Sequence, residues 1–203
     1  SIVSQTKMMG RERILTFLKP EAAEANKDAL AKSIYGNLFN WLFPRLNATL
    51  DNNVKKFATV GVLDIFGFEI FETNRFEQFC INYANEKMQQ HFNDAIFSME
   101  QKAYKADNID VANVEFIDNQ PCLDVIEKGK KSVLGMTDEE LKVPKGSDEK
   151  LLDKLHAQWG KNKYYEKPKR RAPTFGINHY AGLVHYHIEM FMVKNKDKLG
   201  VDA

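Results

Sequence analysis

Val60-Gly-Val-Leu-Asp-Ile-Phe-Gly-Phe-Glu69 is the stretch from which the rest of the chain is read. Its front half is a nearly continuous apolar run with β-branched Val60 and Val62, so residues 57–66 are expected as a strand buried on both faces. The run ends in Asp64, and Gly67 and Glu69 follow at short spacing. A strand-end carboxylate, a flexible glycine and a second carboxylate suit a loop that senses phosphate. Asp64 would lie near a Mg²⁺ ion, Gly67 would offer its N–H to a terminal phosphate, and Glu69 would latch to a cation on another loop. Taken alone, an apolar run ending in Asp is a common pattern. Asp64 could equally cap a turn; a phosphotransfer nucleophile often wants a second Asp two residues on, where this chain has Phe66.

Composition places the chain among ordinary soluble globular proteins: 203 residues, 43% hydrophobic, 28% charged, formal net charge +1. That balance gives no global attraction to nucleic acid. No apolar stretch approaches the roughly 18 residues of a membrane span, and Ser1-Ile-Val-Ser-Gln-Thr-Lys carries no signal-peptide core. Cys80 and Cys122 stand in no metal or redox spacing, which points to a reducing compartment.

Outward from the central stretch, residues 21–43 read as a helix with Leu30, Ile34, Leu38, Trp41 and Leu42 at helical spacing. Pro44 should stop or kink it, leaving Asn47 to Lys56 as a polar connector. Asn74 and Glu77 form a candidate capping box for a helix running to about Tyr104, roughly 45 Å long. Its stripe of Phe76, Phe79, Cys80, Tyr83, Met88, Phe92, Ile96 and Met99 reads as core packing. Residues 105–116 read as a loop, 121–128 as a short helix opened by Pro121, and Thr137 to Lys142 as a charged turn or helix end. Ser147 or Asp148 should cap a helix bearing Leu151, Leu152, Leu155 and Trp159 and closed by Gly160. Lys161 to Arg171 reads as a basic loop. Alternation at Phe175, Ile177 and His179, then at Val184, Tyr186 and Ile188, predicts a β-hairpin, and residues 189–203 a short helix that frays.

Several blocks carry a family likeness. Leu63-Asp-Ile-Phe-Gly-Phe-Glu-Ile-Phe71, Asn74-Arg-Phe-Glu-Gln-Phe-Cys-Ile-Asn-Tyr-Ala-Asn-Glu-Lys-Met-Gln-Gln90, Asp118-Asn-Gln-Pro-Cys122, His179-Tyr-Ala-Gly182 and Lys194-Asn-Lys-Asp197 resemble the myosin motor domain. Asp28-Ala-Leu-Ala-Lys-Ser-Ile-Tyr35 with Leu38-Phe-Asn-Trp-Leu42 is similar too, and the blocks fall in the family's order. The resemblance implies an α+β, helix-rich fragment of a motor head of the P-loop NTPase type. Its parts would be one central-sheet strand, a long relay helix, a helix-loop-helix and a β-hairpin. Residues 1–203 would form a partial motor domain. Within it lie a helix and connector (21–56), the central strand and switch II (57–72), the relay helix and relay loop (73–116) and the lower actin-binding subdomain (117–203).

By the same resemblance, the implied function is an actin-based motor that couples ATP hydrolysis to movement along actin filaments, with ATP and Mg²⁺ as cofactors. Asp64, Gly67 and Glu69 would be the catalytic set; Asp64 and Gly67 would face the nucleotide, Asp64 holding Mg²⁺ through water. Lys161, Lys163, Lys167, Lys169, Arg170 and Arg171 are opposed only by Glu166, and with Lys145 they are candidates for contact with the acidic actin surface. Light chains or calmodulin would bind only regions outside this chain; neither nucleic acid nor membrane insertion is expected, and the location implied is cytoplasmic and cytoskeletal.

The sequence also departs from the family. The Walker A pattern G-x-x-x-x-G-K-[ST] does not occur, nor does the family's switch I with its arginine, so the chain reads as a middle slice that would not hydrolyse ATP by itself. A catalytically inactive, myosin-like actin-binding or scaffold protein is the alternative, against which the intact Asp64, Gly67 and Glu69 speak. Val111 stands where many myosins carry a relay-loop Trp, and Gly135-Met-Thr-Asp-Glu-Glu140 where they often have Leu-Leu-Asp-Glu-Glu. Finally, His185 and His187 would point to one face of a strand with His179 nearby, but no Cys or carboxylate completes a zinc set, and ordinary hairpin positions are the better reading.

Overall fold

A computed structural model describes residues 3–10, 12–50, 58, 60–109 and 118–195. They fall into two compact units, one within Ser1–Leu63 and the other Asp64–Lys196. The architecture is helix-rich α+β with small antiparallel sheets. No described helix is long and apolar enough to cross a membrane.

The first unit holds an antiparallel hairpin, β1 (Ser4–Met9) against β2 (Glu12–Phe17), in register from Ser4 opposite Phe17 to Met9 opposite Glu12. Sequence reading missed it because Ile14, Leu15 and Phe17 do not alternate with polar residues, and all three side chains are exposed. The helix α1 (Pro20–Leu50) follows. It runs through Pro44 and through Asn47 to Leu50, so the expected stop and the first part of the expected connector are corrected; residues 51–56 lie outside the described residues. A proline removes one intrahelical bond, but here the deprived carbonyl belongs to a helix with no buried residue and stays open to solvent. Ile34, Leu38, Trp41 and Leu42, the apolar positions at helical spacing, are exposed.

The strand expected over 57–66 does not form among its described residues, 58 and 60–66. Val60 and Val62 are 90% and 92% exposed, and no described strand pairs with them. A strand is defined by its ladder bonds, so β propensity without a neighbour leaves an irregular segment.

The second unit is built around one aromatic residue. Phe79, on the 31-residue helix α2 (Phe76–Ala106), is fully buried, with the rings of Tyr186, Phe191 and Phe175 at 5.1, 5.6 and 6.0 Å. Phe175 and Tyr186 come from the predicted hairpin, β4 (Thr174–His179) and β5 (Gly182–His187), and Phe191 from the short helix α6 (Phe191–Asn195). A two-residue strand, β3 (Tyr165–Glu166), pairs antiparallel with β4, so the basic loop is partly sheet. Tyr165 pairs with Ile177 and Glu166 with Gly176, where an added Cβ would lie 2.9 Å from the Glu166 Cβ. Three more helices close the core: α3 (Gln120–Glu127), α4 (Val133–Glu140) and α5 (Asp148–Trp159). As expected, α3 opens with Pro121 in its first turn and Ser147 caps α5 by accepting the Lys150 N–H at 3.3 Å.

The departure at Gly135 has a local cause: an added Cβ would meet the Gly129 carbonyl oxygen at 2.2 Å. The long helix obeys its predicted stripe only over its first part. Phe79 is buried and Phe76 and Tyr83 partly so, while Cys80, Met88, Phe92, Ile96 and Met99 are exposed. Phe79→Ala in the 203-residue chain should lower the unfolding free energy by about 3–5 kcal/mol. Phe92→Ala, further along the same helix, should change it by no more than about 0.5 kcal/mol, both read by urea denaturation.

Candidate functional site

Residues 64–71 run as irregular backbone along the first turns of α2, and side-chain amides of that region take the place of a neighbouring strand. Asn85 donates through Nδ2 to the Phe66 carbonyl at 2.9 Å. Asn82 grips the Glu69 peptide from both sides, accepting its N–H at 3.1 Å and donating to its carbonyl at 2.9 Å. Gln78 adds a longer bond to the Glu69 carbonyl at 3.4 Å. Asn74 does the same for Phe71, accepting the N–H and donating to the carbonyl, each at 2.9 Å.

All four amide side chains are buried. Positions 78, 82 and 85 follow the i, i+4, i+7 spacing of one helix face. This polar face was the signal in the sequence that the apolar stripe obscured. It also corrects the capping box. Arg75, not Asn74, is the N-cap residue of α2 and has no side-chain cap bond. Asn74 is drawn away to Phe71 and to the β5 edge, where its Nδ2 reaches the His185 carbonyl at 3.2 Å and its own carbonyl accepts the His187 N–H at 2.8 Å. Glu77 pairs instead with Lys194, whose bond holds its carboxyl below the usual range.

Gly67 lies between two anchored points. Phe66 is held by Asn85, while Phe68 sits edge-on against the rings of His179 (5.3 Å) and Tyr180 (5.5 Å). Gly67 itself is exposed, and a Cβ added there meets nothing within 4 Å. Asp64 is exposed and Glu69 half-buried, and among the described residues neither carboxylate has an ion pair. The three predicted residues thus share one short loop that is held at the Phe66 and Glu69 peptides and whose two carboxylates have no ion pair among the described residues.

Beneath the loop, a chain of buried polar groups continues into the core. Asn82 Nδ2 also donates to the Tyr186 hydroxyl (3.0 Å), which meets His179 Nε2 (2.8 Å); His179 Nδ1 meets Glu86 Oε2 (2.9 Å). Glu86 further accepts the Tyr180 N–H at 3.1 Å and Asn119 Nδ2 at 2.6 Å. Contrary to the expectation that no Cys or carboxylate joins the hairpin histidines, Cys122 brings its sulfur within 4.8 Å of the Glu86 and His179 donor atoms, because α2 and α3 pack on the hairpin; the grouping is of metal-ligand type. The Cys122 thiol is pushed strongly up by burial and then by Glu86. Both imidazole nitrogens and both carboxylate oxygens already bond protein groups, so a metal would have to displace them. The histidine face read from sequence is divided: His185 lies toward Glu166 at 3.4 Å, on the side away from His179.

The predicted cations are all exposed. Lys167, Lys169, Arg170 and Arg171 line a cavity of about 450 Å³ with the Glu149, Asp153 and His156 face of α5. Burial, and next the Lys167 charge, push the His156 imidazole below its ordinary value. Lys145, Lys161 and Lys163 do not line this cavity; Lys163 instead lies 4.7 Å over the Tyr164 ring.

A sequence model of the family described as Myosin head (motor domain) matches residues 1–203. This chain belongs to the myosin motor-domain family. It is 50% identical over 185 residues to Myosin-I heavy chain of Dictyostelium discoideum, covering 91% of this chain and 8% of that protein. Unconventional myosin-Va of Gallus gallus is 48% identical over 186 residues, covering 90% of this chain and 10% of its own length. Myosin-8 of Arabidopsis thaliana is 46% identical over 186 residues, covering 92% and 12%. The chain therefore spans about a tenth of the length of these relatives. Within this myosin segment the irregular loop and α2 are clamped together from beside Gly67 to Phe71.

The attachment of α2 to α3 has a pH signature. Tyr83 donates its hydroxyl to Glu127, which also pairs with Lys87 at 2.7 Å. Burial first, and the Glu127 bond second, push the Tyr83 hydroxyl from 10.0 up to about 12. A raised folded value means that the stabilisation is complete below pH 10.0 and is lost as pH rises toward about 12. Denaturant midpoints measured across that window should fall more steeply for the wild-type chain than for Tyr83→Phe.

Proposed function

We propose that this chain is the phosphate-sensing and actin-facing part of an ATP-driven, actin-based motor of the P-loop NTPase type. The observation that carries this reading is the clamp: the peptides beside Gly67 are tied by amides to a single 31-residue helix, while Gly67 itself stays open. Bound ATP with Mg²⁺ supplies the phosphoanhydride whose hydrolysis drives the cycle. Asp64 would hold the Mg²⁺ shell through water, which suits an exposed carboxylate without an ion pair. The Gly67 N–H would donate to the terminal phosphate. Glu69 would turn its carboxylate to an arginine on another segment and help exclude bulk water from the attacking one. Residues outside this sequence would cradle the phosphates.

Because Asn85 and Asn82 grip the backbone on either side, movement of Gly67 cannot be absorbed locally. It would pull α2, about 46 Å long at 1.5 Å per residue, or break part-buried hydrogen bonds worth roughly 0.5–1.5 kcal/mol each. The helix would thus carry the phosphate state away from the site. Residues 117–203 would form the lower actin-binding subdomain, with Lys145, Lys161, Lys163, Lys167, Lys169, Arg170 and Arg171 steering toward acidic actin.

Gly67→Ala in the complete motor should leave ATP binding largely intact and lower hydrolysis by about a hundredfold, the scale of losing one oxyanion donor. The added methyl meets nothing in the present geometry, so turnover equal to wild type would remove the role given to Gly67. Neutralising Lys169, Arg170 and Arg171 together should weaken cosedimentation with actin filaments and flatten its salt dependence. Equal pelleting of variant and wild type would remove that role from the loop.

A further inference from the structure

The polarity of the buried chain beneath the loop can be worked out atom by atom, and it reaches residues that neither the motif nor the comparisons assign. The Glu69 peptide fixes the start. Its N–H must meet Asn82 Oδ1 and its carbonyl must meet Asn82 Nδ2, so the amide has one orientation. The second Nδ2 hydrogen goes to the Tyr186 oxygen, and Oδ1 takes a second donor, Gln78 Nε2 at 3.2 Å. Asn82 then makes all four of its hydrogen bonds at 0% exposure.

The Tyr186 oxygen is an acceptor from Asn82, so its single hydrogen points to His179 Nε2. That nitrogen must carry a lone pair, and the ring proton sits on Nδ1, donated to Glu86 Oε2. The far end agrees. Glu86 accepts from His179, the Tyr180 N–H and Asn119, and is asked to donate to none of them. A doubly protonated ring would leave the Tyr186 hydrogen without an acceptor in a fully buried site, a cost of about 1–3 kcal/mol.

We propose that His179, held as the neutral Nδ1–H tautomer by Glu86, is a positioning residue: through Tyr186 and Asn82 it sets the Glu69 peptide and thereby the resting place of the phosphate-sensing loop. The proposal rests on the reading of residues 64–69 given above. It assigns the Glu86 carboxylate, three hydrogen-bonded side chains removed from the Glu69 peptide, the task of orienting that loop. Truncating the Tyr186 hydroxyl cuts the chain at its middle while keeping the ring that packs on Phe79.

Two measurements test it. In the 203-residue chain with ¹⁵N-labelled histidine, the signal missing from His179→Asn should show a protonated Nδ1 and an unprotonated Nε2. A protonated Nε2 would overturn the assignment, whatever the loop does. In the complete motor, Tyr186→Phe should leave ATP binding within about twofold and slow hydrolysis about tenfold, as expected for one buried hydrogen bond. Binding and hydrolysis falling together, or neither changing, would mean that Tyr186 only packs. A normal Gly67→Ala would remove the reading of the loop without touching the tautomer, so the two failures are separable. Should Tyr186→Phe not fold, the wild-type tautomer still decides.

Discussion

Residues 66–71 lie against α2 with no described strand beside them to bond their peptide groups. Four side-chain amides, from Asn74, Gln78, Asn82 and Asn85, do so instead. An amide side chain offers the same donor and acceptor as a peptide, so a helix face bearing amides can stand in for a sheet edge. Unlike a sheet edge, it ties the loop to one rigid rod. The dependence of loop position on helix position, and of both on the buried groups below Asn82, follows from that substitution.

The second unit serves this contact. Phe79 lies one position beyond Gln78, so the turn of α2 that presents Gln78 and Asn82 is fixed by rings from β4, β5 and α6. Tyr186 belongs to both systems: its ring packs on Phe79 and its hydroxyl bonds Asn82 and His179. Burial pushes that hydroxyl strongly up, which keeps it protonated and able to donate. Hydrophobic burial thus places the polar groups, and the polar groups place the loop.

What the sequence made legible divides along physical lines. The start and end of α5, the opening of α3 and the hairpin alternation are local signals, set by caps, a first-turn proline and period-2 burial, and the structure has them where they were expected. The strand over 57–66 does not form among its described residues, and the apolar positions of α1 and of α2 beyond Glu86 are exposed. Apolar pattern states that a face would be buried if a partner is present, and the described residues offer none. Asn74 failed as a cap because β5 and Phe71 competed for its amide. His179 looked like one of three similar histidines; only the fold turned it toward Glu86 and His185 toward Glu166.

The sequence by itself determined the family, the helices and hairpin of residues 120–187 other than β3 in their order, and the grouping of Asp64, Gly67 and Glu69 in one loop, because these depend on residues close together in the chain. Tertiary structure alone decided which amides hold that loop and joined Glu86 to Tyr180 and His179 across more than ninety positions. It also gathered four of the seven cations around one cavity and left three elsewhere. Those outcomes depend on which groups meet when α2 packs on the hairpin, and hydrogen-bond competition inside a closed core has no signature in local spacing.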